Sequence, residues 1–486
     1  MNKRFTFLVL LICLACITTS AQTVEWGNPQ KVKSKAFFSQ IIGENSSGLF
    51  VVRAKNNSFR NNLIIEKYKY NLTLETSKEI EQQSNSLIER IIVNEEGLMV
   101  FYVIKNAETK KQDLILTQYR NDLTIENTKT ILTFEGVLDV DSKLLIKQSV
   151  NKKLFSVIYI NSATEKTNSV FNTFSFDNTF AVKYNRKYSL PYTIKEIKLK
   201  NVEISNSGNV YALLNVEEKN KRDRFLKYYL YAYTSSTDNM VEYGIGNDST
   251  IVTDAELIVN NYTNTINVSG FYSNKFDNKV LGTFYYLIDG VAEKIEHYKT
   301  TPINHALGNK IMGAQFNDGA STLSDLVIRK LIANSDGGCT IVAEKYTETK
   351  QSYTYMLNGF PQTGFRTLYT YGEVLLLAKN ADGTDRFNQL VKKNQSSLAD
   401  GGYYSSFVTL LSNDKIGIIY NSDVVNEGDV ILATINNKGD LDTKVLIKSV
   451  SYYATILPFE SKQVSAKSAV ISTLKDRRFT LMRLTF

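Results

Sequence analysis

Apolar residues run in short unbroken blocks along this chain, and small polar turns separate the blocks. Leu63-Ile64-Ile65 is followed by a turn at Tyr70-Asn71 and a returning segment, Leu72-Thr73-Leu74. The same design recurs 51 residues later as Leu114-Ile115-Leu116, Asn121-Asp122 and Leu123-Thr124-Ile125. Segments 63–80 and 114–131 align without a gap, with eight identities in eighteen positions. Each reads as a β-hairpin with a polar tip. VLLLAKNADGTDRFNQL (374–390) and VILATINNKGDLDTKVL (430–446) form a matching pair, with Gly383 and Gly439 where a tight turn needs positive φ.

A different hairpin precedes each of these. IIGENSSGLFVV (41–52) matches IIVNEEGLMVFY (91–102), and the pattern returns at 202–214, 257–272, 331–344 and 409–420. Weaker copies lie at 145–160 and 462–474, which makes eight. The unit is therefore two successive hairpins, repeated about every 50 residues. Runs such as Val374–Leu377 are apolar on consecutive residues, so both faces of the sheet must be covered. Sheets stacked around an axis cover one another, and the predicted fold is an all-β propeller of about eight four-stranded antiparallel blades, with seven as the alternative.

FTLMRLTF (479–486) reads as a third strand with nothing after it, and TVEWGNPQKVK (23–33) as a lone strand before the first unit. Pairing them would close the ring and remove an open edge. The rival is an outer-membrane barrel, which would require apolar-out, polar-in alternation over about ten residues per strand. The continuous apolar runs argue against it.

Residues 1–21 read as a signal peptide: Lys3 and Arg4, an apolar stretch from Phe5 to Cys13, then Thr19-Ser20-Ala21 before Gln22. The apolar core is short for a membrane anchor, and Cys13-Leu14-Ala15 before Cys16 makes a poor lipobox. Cleavage after Ala21 would leave residues 22–486 as a single propeller domain, exported to the periplasm or the outer membrane. It would also lower the formal charge from +8 to +6, spread among acidic residues, which gives nucleic-acid binding no support. Of three cysteines only Cys339 would remain, so no internal disulfide is expected, and its run GGCTIVAE suits a buried small residue. No second apolar stretch is long enough for a transmembrane helix.

Two insertions stand out. Residues 300–322 are mostly small and polar. Residues 345–371 interrupt the sixth unit as a long loop carrying Tyr346, Tyr353, Tyr355, Phe360, Phe365, Tyr369 and Tyr371. Seven aromatics in 27 positions far exceeds the chain's 11% and marks this segment as the candidate contact surface, for a protein partner at the cell envelope or for carbohydrate. The alternative is that these rings alternate along an extended hairpin and pack on the propeller itself.

Catalytic and metal-binding patterns are sparse, and no catalytic residue, metal ligand or cofactor is assigned. His297 and His305 form no metal-ligand spacing. Glu95-Glu96 and the Asp139/Asp141 pair sit in turns or unit boundaries, while NADGTD (380–385) and Asn317-Asp318-Gly319 read as hairpin tips. A non-catalytic binding or scaffold protein is expected, with an outer-membrane-associated complex as its candidate setting and a carbohydrate-binding or glycan-hydrolysing propeller as the alternative.

GGCTIVAEKY (337–346), YTYGEVLLLAKNADGTDRFNQLVKKNQ (369–395), GGYYSSF (401–407) and INVSGFYSNKFDNKVLGTFYYLIDG (266–290) resemble a family of exported proteins common in Bacteroidetes. The resemblance covers 250–430. The family has tryptophan and a Lys-Lys-Ile-Pro-Lys segment where this chain has Phe387 and LVKKNQ. It implies an exported, propeller-like protein without implying an activity.

Overall fold

The computed structural model describes residues 22–32, 38–54, 63–80, 86–106, 111–134, 144–219, 224–247, 250–274, 279–312, 323–426, 428–452 and 455–486. The leader, Asp139, Asp141 and Asn317–Gly319 lie outside them. The described residues form eight separate antiparallel sheets, each running outward in strand order from its first strand, and no sheet continues into the next. The eight inner hairpins begin at Ser39–Asn45, Ser86–Val93, Leu145–Gln148, Ile197–Ile204, Ile251–Asn260, Leu326–Ala333, Val408–Leu411 and Lys462–Ser465. These are the eight copies read from the sequence, numbered here as blades one to eight. Inner strands of neighbouring blades touch at seven of the eight junctions of the ring, and blades six and seven meet through their shared apolar cluster.

The core explains the unbroken apolar runs. Buried apolar residues fall into eight clusters, one between each pair of adjacent blades. Side chains alternate sides along a strand, so Phe50 and Val52 enter the cluster with blade two while Leu49 and Val51 enter the cluster with blade eight. In blade six, Leu375 and Leu377 face blade five, and Val374 and Leu376 face blade seven. Cys339 is one of these core residues, fully buried, and burial pushes its thiol pKa up to about 12. It is a packing group rather than a nucleophile.

Ring closure follows the predicted pairing. Thr23–Trp26 lies antiparallel to Arg478–Thr485 as the outermost strand of blade eight, and Gln30–Lys31 pairs further along the same strand. Val24 and Trp26 pack into the cluster between blades seven and eight, and Val32 into that between eight and one. The Arg483 guanidinium reaches Glu44 of blade one at 2.5 Å, tying the last blade to the first.

The outer hairpins share one turn. Leu72, Leu123, Phe180, Gly383 and Gly439 occupy its positive-φ position. Glycine takes that conformation at no steric cost. Leu72 and Leu123 accept it because their side chains, 1% exposed, plug the clusters beside them. On the same face, asparagines link successive inner turns: Asn45 Nδ2 donates to the Asn94 carbonyl (2.6 Å), Asn206 Oδ1 accepts from the Asn151 amide (3.0 Å), and Asn260 Nδ2 donates to the Asn334 carbonyl (2.8 Å).

Two segments differ from the sequence reading. Thr300–Pro302 completes a strand, and His305–Met312 is a helix whose Leu307, with Ile303, is buried between blades five and six. That part of the insertion is anchored packing, not a polar loop. Residues 345–371 are not a loop either. They continue the second and third strands of blade six, Cys339–Leu357 and Phe360–Lys379, as a paired hairpin. Its tip is Asn358-Gly359 with φ of 50° and 81°, the two-residue turn that matches strand twist.

Candidate functional site: the channel mouth and the blade-six hairpin

Successive antiparallel strands place the short turns within each hairpin on one face of the ring and the blade-to-blade connections on the other. The blade-six hairpin projects from this second face. Beyond Lys345 the inner strand of the blade no longer pairs with it. Twelve further residues, Tyr346 to Leu357, at about 3.3 Å each, carry the tip roughly 40 Å outward. Gln395–Leu398 supports only its foot, pairing with Leu368–Tyr371.

The register divides the seven aromatics. Tyr346, Tyr371, Tyr369 and Phe365 share one face of the hairpin, while Tyr353, Tyr355 and Phe360 share the other. Tyr371 is buried, and its ring lies 4.7 Å from that of Tyr346. Both stack against the Arg329 guanidinium, at 5.7 and 5.1 Å. These are foundation residues. At the far end Phe360 and Phe365 are 70% and 71% exposed, and Tyr353, Tyr355, Met356 and Leu357 are also exposed. The two expectations for these rings thus divide by position: packing at the foot, exposure toward the tip.

Beneath the foot sits a buried ion cluster. Lys393 and Glu344 have fully buried side chains and pair at 2.8 Å. Glu344 also accepts from Arg329 (2.8 Å) and Ser406 Oγ (2.9 Å), and Lys393 donates to the Tyr371 carbonyl and Gln395 Oε1, both at 3.1 Å. Burial holds the Lys393 pKa below the usual lysine range, against the opposing pull of Glu344. Glu344 thus anchors the foot of the hairpin, Oε2 through both hydrogen bonds and Oε1 through the facing Lys393 charge.

Charges also line the axis. The inner strands of blades one, two, four, five and six each carry a β-bulge. A bulge re-aims side chains, and in blades two, four, five and six it carries Glu89-Arg90, Lys200-Asn201, Thr253-Asp254 and Arg329-Lys330. Across blades, Lys200 pairs with Asp254 at 2.7 Å and with Glu256 at 3.8 Å, and Lys147 pairs with Glu203 at 3.6 Å. Burial raises the Glu203 and Glu256 pKa values, partly offset by Lys147 and Lys200, and lowers that of Lys330. Each shift reflects burial that penalises the charged form. The sequence reading missed this ring of charge. The signal was present as acid or base in mid-strand, in IERI, KLKN and IRKL.

At the mouth, over the inner strand of blade one, lies a cavity of about 420 Å3 bordered by Arg90, Phe459, Glu460 and Lys462. Aromatic rings extend from the hairpin foot to this point. Phe459 lies 6.5 Å from Tyr371, and Tyr403 lies 5.8 Å from Phe38 and 5.0 Å from Tyr404. Glu460 Oε2 accepts the Ser39 hydroxyl at 2.6 Å and its amide at 3.2 Å. Burial nevertheless raises the Glu460 pKa to about 7. A carboxyl whose folded pKa lies above its unfolded value takes up a proton on folding, so stability is lost as pH rises from about 4.5 to about 7. Glu460→Gln is expected to gain about 2–3 kcal/mol over wild type at about pH 8 and little at about pH 5, measured by urea unfolding. An equal effect at both values would mean that Glu460 does not titrate in this interval.

The remaining candidates are ordinary. His297 lies on an outer strand and His305 on the short helix, both exposed, and Glu95-Glu96 forms an exposed turn. Asp382 of NADGTD caps its own hairpin by accepting from Thr384. Among the described residues no cluster of three or more His, Cys, Asp or Glu has metal-binding geometry, and no helix is long and apolar enough to cross a membrane.

No protein-family model matches the chain, and no curated protein matches it in sequence. Solved structures similar to it include the WD40 domain of SCAP from fission yeast, with 9% identity and a TM-score of 0.41 over 96% of this chain and 98% of that one. The β-propeller domain of the Trilobed protease from Pyrococcus furiosus, described as having an open velcro topology, gives 12% identity and a TM-score of 0.32 over 87% and 96%. The chain is an eight-bladed β-propeller. That statement rests on its own sheets and pairings, since matches at these identities and TM-scores carry no argument about what it does.

Proposed function

We propose that this propeller is an exported, non-catalytic scaffold that holds a protein partner at the cell envelope through the blade-six hairpin. The observation that carries the reading is the hairpin itself. It leaves the blade body, is supported only at its foot, and presents Tyr353, Tyr355, Leu357 and Phe360 on one face. Burying such rings against a partner contributes large area at low entropic cost. Arg366, lying 5.3 Å over the Tyr353 ring, is the one charged residue on this face, so a partner with an apolar strip fits it better than a charged surface. Support for export comes from the leader and its small residues before Gln22; N-terminal sequencing of the mature protein should begin at Gln22.

The test uses site-specific photo-crosslinking at position 355 in cells, followed by affinity measurement with the partner so identified. Tyr353→Ser, Tyr355→Ser and Phe360→Ser combined should abolish binding and leave the Tm nearly unchanged, because these rings sit outside all eight blade clusters. Phe365→Ser, on the opposite face, should bind as wild type. A large fall in Tm with the triple variant would place those rings in the core instead, and full binding by that variant would refute the hairpin as the contact.

A further inference from the structure

The cavity at the channel mouth holds cations that the ring does not neutralise. Its volume of about 420 Å3 lies within the ~300–1,000 Å3 range that encloses small organic ligands. Ile42, Ile91, Leu145 and the Phe459 ring make apolar walls. Arg90 enters from blade two and Lys462 from blade eight, on either side of blade one. Elsewhere in the channel Lys147, Lys200 and Arg329 each have a carboxylate partner. Arg90 and Lys462 have none among the described residues, and Lys462 instead donates to the Ile42 carbonyl. Burial, reinforced by the neighbouring Arg90 charge, holds the Lys462 pKa below the usual lysine range. Both side chains are exposed at the rim of the cavity, and an anion placed between these like charges would relieve their repulsion. Glu460 does not fill the role, because its carboxylate is turned to Ser39. Glu89 also lines the wall and limits the net positive charge, which favours a ligand with one anionic group over a polyanion.

The geometry points to a small-molecule site for an organic anion with a single carboxylate or phosphate head and an apolar body. The head lies between Arg90 and Lys462, and the body runs over Ile42, Ile91 and Leu145 against Phe459. This site is separate from the hairpin, and neither reading depends on the other.

Isothermal titration of the full mature protein with decanoate, decyl phosphate, decanol and inorganic phosphate tests it. Decanoate or decyl phosphate should bind, and the stronger of the two identifies the head group. Decanol, which lacks charge, and inorganic phosphate, which lacks a body, should bind at least about 10-fold more weakly. Arg90→Ala and Lys462→Ala should each weaken the preferred ligand by about 10–100-fold, as expected for loss of one charge-assisted hydrogen bond. Lys462→Arg should restore most of the loss. A diazirine-bearing decanoate on the wild-type protein, independent of any variant's folding, should label the inner strands of blades one, two and three or the Pro458–Glu460 turn that leads into blade eight. Equal binding of decanol, wild-type affinity in both folded alanine variants, or labelling confined to other blades would each overturn the proposal. The hairpin triple variant should bind these ligands as wild type, so failure at either site is read separately.

Discussion

Lys393→Ala is expected to lose about 3–5 kcal/mol of folding stability, because it breaks a buried ion pair and takes away the charge that faces Glu344 Oε1. Glu344 is 0% exposed, and Lys393 is its closest fully buried partner. Removing the ammonium leaves Glu344 with Arg329 and Ser406, and it also frees the Tyr371 carbonyl and Gln395 Oε1. Lys393→Met combined with Glu344→Gln removes the fully buried pair and leaves Arg329 its contacts with the Tyr346 and Tyr371 rings, so it should recover most of the loss. Urea unfolding of Lys393→Met, Glu344→Gln and the double variant closes the cycle. A loss below about 1 kcal/mol for Lys393→Ala would mean that water reaches the pair. The cluster also fixes Tyr371 and Gln395, the residues from which the hairpin rises. Lys393→Ala should therefore speed amide exchange over 346–371 more than in the other blades.

Deleting residues 22–32 is the second large effect. It removes the strand that completes blade eight, along with Val24, Trp26 and Val32 from two inter-blade clusters. At about 1.5–3 kcal/mol per buried large apolar side chain, the loss should reach roughly 5 kcal/mol. It also breaks the bond from the Gly27 amide to the Leu481 carbonyl and that from Gln30 Nε2 to Tyr68. The outer edge of Arg478–Thr485 becomes an unpaired template, and the deleted protein should associate through it. Thermal unfolding and size-exclusion chromatography report the two effects. A monomer with unchanged Tm would show that closure contributes nothing.

Much of this architecture was legible because a blade is a local object. Two hairpins within about 50 residues carry their own turns and apolar runs, so all eight inner hairpins, the outer pairs at 63–80, 114–131, 374–390 and 430–446, and the closing strands were placed from sequence. The sequence reading offered the blade-six segment first as a loop and only alternatively as an extended hairpin, because it exceeds the repeat and the comparison of units had no counterpart for it. Asn358-Gly359 between alternating Tyr and Thr residues would have identified it. The channel charges were harder to read. Lys200 finds Asp254, and Lys147 finds Glu203, only because the ring sets successive inner strands side by side. Within a single strand the same residues look like an exposed polar face. The helix at His305–Met312 was hidden for a similar reason, since its one buried leucine packs against blades on either side of it.

The seam in blade eight also governs the order of assembly. Residues 23–26 are made before all eight inner hairpins, yet their docking site at 482–485 is made after them. A growing chain can fold individual blades but has no means of sealing, and a product cut short of residues 482–485 stays unsealed however well its other blades form. The joint thus works as a check on length: only a chain synthesised to its final strand can lock.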